Sequence, residues 1–169
     1  MSTPEFSRLV PLTRIGNEPY RQQIAASAAE RDALAQRFDL LSLDRLTAEV
    51  ELVREPAGTI LLTATFETVF AQECIVTFDP VAGTVAERFH LRYGRPEAED
   101  DAPSGEDDPP FEPLTDEAID VGEAVAQEFS LALPPFPRVA DAVIELNDVE
   151  PSEGGPFAAL DGFRRERPQ

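Results

Sequence analysis

Gln72-Glu73-Cys74-Ile75-Val76-Thr77-Phe78-Asp79-Pro80-Val81 is the stretch on which the fold turns. Its apolar run, Ile75 to Phe78, reads as a strand that enters a turn at Asp79-Pro80, with another strand resuming near Thr84. Just before it, Thr59 to Phe70 sets Ile60, Leu62, Ala64, Phe66 and Phe70 on one side and Thr63, Thr65 and Glu67 on the other. Further back, Leu46, Ala48, Val50 and Leu52 alternate with Thr47, Glu49 and Glu51. A period of two marks a half-buried strand, and Glu55-Pro56-Ala57-Gly58 between the two runs makes them a long hairpin. On the far side, Val85, Phe89, Leu91 and Tyr93 alternate with Arg88, His90 and Arg92. Successive strands joined by short turns imply an antiparallel, strongly curved sheet.

The flanks add helices. Phe6 to Leu12 alternates loosely as a first strand, with Pro11 pointing to an edge, and Arg21 to Ala26 extends as a second. Ser27 with Glu30 forms a capping box, so a helix runs from Ala28 to about Phe38 with Leu34 and Phe38 on one face. A helix starting at Pro19 would absorb Tyr20 and Ile24; the later start is expected. Residues 97–113 combine acidic clusters with four prolines and little to bury, the composition of a disordered insertion. Asp120 caps a second helix whose buried stripe is Val125 and Phe129 and which Pro134-Pro135 ends. A last strand is expected at Val143 to Leu146, then a tail, 151–169, with a short helix around Pro156 to Leu160. The expectation is one α+β domain over residues 1–169, with two or three short helices.

Charge narrows the classes of partner. The chain of 169 residues has a formal net charge of −19, and all 14 of its cations are arginine. Between Glu97 and Glu128 stand 13 carboxylates and no arginine, leaving about −6 for the rest. Such a molecule repels a polyanion at long range and attracts a basic protein. No apolar run approaches the ~20 residues of a membrane span, and Met1 to Glu5 is too polar to open a secretory leader. With one cysteine there is no internal disulfide. A cytoplasmic protein without membrane contact is expected.

Several motifs resemble the YceD family, the bacterial large ribosomal RNA subunit accumulation proteins. They are Pro4-Glu5-Phe6-Ser7-Arg8, the Ala33-Leu34-Ala35-x-Arg37-Phe38 core, the Cys74 turn, Ile119-Asp120-Val121-Gly122-Glu123 running to Leu133-Pro134, and Pro156-Phe157-Ala158-Ala159-Leu160. Many family members carry Cys-x-x-Cys at the turn; others, like this chain, have threonine in place of the second cysteine, here Thr77. Gly155 stands where the family's terminal element has asparagine. The resemblance implies a non-enzymatic factor for accumulation or processing of large-subunit (23S) ribosomal RNA. Ribosomal proteins or assembly factors are its implied partners, the rRNA itself a further one, and no small-molecule substrate or cofactor is implied. The alternative is an acidic module that holds a basic ribosomal protein without touching RNA.

Each candidate site has a plainer reading beside it. Cys74 and His90 fall short of the four ligands of a structural zinc, so Cys74 reads as a small buried hydrophobe in a strand. As a nucleophile paired with His90 it lacks a third, orienting group, and neither a phosphate loop nor a nucleophile elbow is present, so a nuclease or hydrolase is not expected. Arg88, His90 and Arg92 share a sheet face, with Arg95 just beyond. They either touch RNA phosphate or a partner, or the arginines pair with Glu49, Glu51 or Glu67 across strands. Phe157, Leu160 and Phe163, flanked by Arg164, Arg165 and Arg167, are either a docking tail or a clasp on the chain's own core. Cys74, Thr77, Asp120 and Pro134 are the family-motif positions.

Overall fold

Alternation of apolar and polar residues carries the two longest pairings of the molecule. In the computed structural model, which describes residues 4–56, 58–95 and 108–143, strand β3 (Ser42–Arg54) pairs antiparallel with β4 (Ile60–Glu73), and β4 with β5 (Pro80–Gly94). Strand β2 (Tyr20–Ala25) adds to the outer side of β3. Short β6 (Phe111–Pro113) pairs with β5 in parallel, completing an open sheet of order β2-β3-β4-β5-β6. A second, two-stranded sheet joins β1 (Leu9–Pro11) to β7 (Ala118–Asp120). Two α-helices, α1 (Ala28–Arg37) and α2 (Val121–Ala132), make this an α+β fold.

One face of the five-stranded sheet is covered. Leu46, Ala48, Val50 and Leu52 of β3 and Leu62, Ala64, Phe66 and Phe70 of β4 are buried there with Val125, Ala126 and Phe129 of α2. Phe129 is the centre of this layer: its ring meets those of Phe38, Phe66 and Phe70 in edge-on arrangements at 5.8, 6.4 and 5.6 Å. Edge-on packing places ring hydrogens against π faces and adds ~0.5–1.5 kcal/mol per pair beyond burial.

The helix ends form as their sequences dictate. Ser27 Oγ accepts from Glu30 N while Glu30 Oε2 accepts from Ser27 N at 2.7 Å, a reciprocal capping box. Helix α1 stops where Asp39 turns left-handed (φ 54°) and Leu40 N donates back to Ala35 O. Asp120 Oδ1 accepts from the amides of Gly122 and Glu123, capping α2.

Three expectations are corrected. Ile75–Phe78 is not a strand: β4 ends at Glu73, β5 starts at Pro80, and the residues between are the connection of a hairpin. The loop closes on itself, with Cys74 N donating to Asp79 O and Phe78 N to Cys74 O, which an extended run would not allow. Phe6–Leu12 yields only the three-residue β1, because Leu12–Arg14 coils into a 3-10 turn. Within the stretch expected to stay unfolded, Phe111–Pro113 is strand β6, while 96–107 lies outside the described residues. Of the proposed last strand, Val143 is exposed and irregular and 144–146 lies outside the described residues, as does the tail with Phe157, Leu160 and Phe163.

Candidate functional site

The N-terminal motif residues are structural. Arg8 makes a two-pronged pair with Glu30 at 2.6 and 2.9 Å, and its amide donates to Asp120 Oδ1 at 2.7 Å. Ser7 Oγ donates to Asp120 Oδ2 at 2.6 Å. Arg37 binds Glu5 and both oxygens of Glu123 at 2.7–2.9 Å. The segment Glu5–Arg8 is thus sewn between the two helices, and Glu30, held by Arg8, is drawn down to a pKa of about 2. Gly122 belongs to the same clamp: a Cβ there would meet the Phe6 carbonyl oxygen at 2.3 Å.

The uncovered face of the large sheet carries polar rows set by the strand register. One row runs Arg21, Glu51, Thr63, His90; the next runs Gln23, Glu49, Thr65, Arg88. Arg21 pairs with Glu51, Gln23 Nε2 donates to Glu49 at 2.7 Å, Thr63 Oγ1 and His90 Nδ1 share a hydrogen bond at 3.0 Å, and Arg45 lies 3.6 Å from Glu67. These contacts use the glutamates expected to neutralise Arg88, which has no ion-pair partner among the described residues. It borders a shallow depression of about 470 Å³ with Arg21, Gln23, Glu49 and Thr65.

Arg92 does not join this surface, although it shares the face. It is only 9 % exposed, its Nε donates to Glu55 Oε2 at 2.9 Å, and its amide donates to Pro110 O. Burial raises the Glu55 pKa, but the Thr59 hydroxyl and Arg92 outweigh it and hold the carboxyl below its ordinary value. Arg92 therefore fastens the β3–β4 turn to β5. Arg95 is exposed beyond the end of β5. Arg88, His90 and Arg95 remain on the outside; Arg21 and Gln23, which complete the polar rows, were not singled out in the sequence because only the β2–β3 register brings them there.

The hairpin tip holds Cys74. Its thiol has no accessible surface, and the backbone of its own turn and of Val139, in the loop after α2, lies against it. Sγ accepts from Thr77 N at 3.4 Å. The Thr77 hydroxyl, ahead of the amides of Thr77, Val139 and Val76, draws the thiol down to about 7 against the opposing effect of burial. Thr77, where relatives carry a second cysteine, thus serves the remaining sulfur as a hydrogen-bond partner. Cys74 is buried as expected, but in a turn. His90 pairs with Thr63, ten residues up β4 from Glu73, on the order of 30 Å away, so the two do not meet. Among the described residues no three His, Cys, Asp or Glu side chains are placed to hold a metal ion. Pro134 O accepts from Gln72 Nε2 at 3.2 Å, which ties the end of α2 to this tip.

Phe78 closes the loop at φ 64°, a left-handed conformation that costs a bulky residue ~1–2 kcal/mol. Its side chain is 70 % exposed, so burial does not offset that cost.

These features define a class: an acidic α+β protein whose main sheet has one covered and one open face, its helices clamped by arginine–carboxylate pairs. The chain belongs to the YceD family, the large ribosomal RNA subunit accumulation proteins, whose family model matches residues 62–160, from β4 through α2 into the C-terminal residues. No curated protein and no solved structure matches the chain. Among the described residues no helix is long and apolar enough to cross a membrane.

Proposed function

We propose that the protein is a non-catalytic cytoplasmic factor for accumulation or processing of 23S ribosomal RNA and large-subunit assembly, working through contacts with ribosomal proteins or assembly factors. Family membership supports the ribosomal role. The observation that carries the mode of action is the balance of the open sheet face. Arg21, Arg45 and Arg88 stand there against Glu49, Glu51 and Glu67, and among the described residues no aromatic side chain shares the register rows of Thr63, Thr65 and His90 for a base to stack on. Sheets that read single-stranded RNA stack bases on aromatics and hold phosphates with a cationic surplus. This face offers neither.

The test is to measure 23S relative to 16S rRNA in cells lacking the gene and complemented by variants. Loss of 23S on deletion, restored by Arg88→Ala plus Arg95→Ala, is the expected result; 23S levels indifferent to deletion refute the reading. The acidic run favours a second reading, a holder of one basic ribosomal protein, since 13 carboxylates stand between Glu97 and Glu128. In that case deletion of 97–107, which spares β6, abolishes complementation.

A further inference from the structure

We infer that the β4–β5 hairpin tip, with Phe78 as its anchor, docks a basic amphipathic segment of a partner protein: apolar side chains seated on the tip, arginines or lysines around them. The inference rests on the reading of this protein as one that works through protein contacts, and locates the contact. Ile75 N donates to Pro137 O at 3.0 Å and Gln72 Nε2 to Pro134 O, which joins the tip to the loop after α2 and so brings Phe136 to this end of the sheet. Leu41, bonded through its amide to Ala71 O, stands at the same end. Leu41, Ile75, Phe78 and Phe136 are exposed by 50, 45, 70 and 74 %. Exposed large apolar groups gathered at one end of a fold mark an interaction surface.

Phe78 distinguishes this surface from incidental exposure. The turn needs a residue at positive φ, which glycine supplies without strain. A strained phenylalanine that packs on little is held for something outside the chain. Charge specifies the occupant. Within two residues of these apolar side chains in the chain, the exposed charges are Asp39, Glu73 and Asp79 against Arg138, so a phosphate backbone is disfavoured and a basic polypeptide attracted.

The probe is a synthetic amphipathic peptide with leucines on one helical face and arginines on the other, titrated into the full chain by fluorescence anisotropy. Phe78→Gly should weaken binding at least tenfold while leaving the urea midpoint unchanged or raised, because glycine relieves the left-handed turn. Phe136→Ser should weaken binding in the same direction, and a peptide with glutamates for the arginines should not bind. Equal binding to Phe78→Gly, or a lowered midpoint with binding intact, overturns the inference. So does tighter peptide binding in Phe157→Ser plus Phe163→Ser, which would make the chain's own tail the occupant, or a dimer that Phe78→Gly dissociates. In cells, gene deletion that lowers 23S rRNA together with full rescue by Phe78→Gly refutes the docking site alone. Deletion without effect refutes the ribosomal reading instead.

Discussion

Arg88 and Arg92 are four residues apart on one strand and one face, yet their surroundings give them opposite roles. Arg92 loses its water to the β3–β4 turn and to Pro110 and answers Glu55; Arg88 stays in solvent. Arg92→Ala strands a partly buried carboxylate and is expected to destabilise by about 2 kcal/mol in urea unfolding. Arg88→Ala should change stability by less than about 0.5 kcal/mol. Cys74 departs from an ordinary thiol. Its thiol pKa lies at about 7 rather than 9, so the fold favours the thiolate. The stabilisation it contributes is complete above the ordinary thiol value and is lost as pH falls through about 7. Thiolate ultraviolet absorbance of the folded protein should inflect near neutral pH, and Thr77→Val should move the inflection upward by removing the hydroxyl donor.

Beyond the strand ladders, the two helices and the N-terminal segment are joined at their starts. The N-terminal segment, the start of α1 and the start of α2 meet through Arg8, Glu30 and Asp120, so one clamp serves three elements. Gly122→Ala drives a methyl group into the Phe6 carbonyl and toward the Arg8 amide, and both are backbone groups that cannot swing aside. A loss of about 2–3 kcal/mol in chemical denaturation is expected, well beyond anything helix propensity would offset. The clamp is also pH-dependent in a defined direction. Glu30 has its pKa lowered to about 2 from 4.5, chiefly by the hydrogen bond from Arg8, so its stabilisation is full above 4.5 and disappears as pH falls toward 2. Thermal unfolding of the native chain and of Glu30→Gln should therefore differ at neutral pH and converge in acid.

At the scale of the whole molecule, charge decides who approaches. A net charge of −19 with no surplus of arginine on the open sheet face makes long-range attraction a property of basic partners. Polyarginine is expected to bind the full chain and to dissociate steeply as salt is raised, whereas a single-stranded rRNA fragment stays unbound even at low ionic strength; anisotropy titrations in a salt series check both. The strands of the β3–β4–β5 meander, the capping box at Ser27 and the Asp120 cap were legible because each is a local pattern, periodic or confined to a few neighbouring residues. The turn at Cys74 was misread because Ile75, Val76 and Phe78 have the composition of a strand, and what bends them is a set of hydrogen bonds to their own loop. The burial of Arg92, the parallel seat of β6 and the clamp of Arg8, Arg37 and Asp120 depend on partners far off in the chain, from Phe111 opposite Arg92 to Asp120 beside Ser7, 113 positions away. Short-range backbone preference and composition were enough to place the strands, the helix ends and the overall charge. Which arginines face solvent and which act as bolts was settled by folding, because desolvation and ion pairing are set by groups that folding alone brings together.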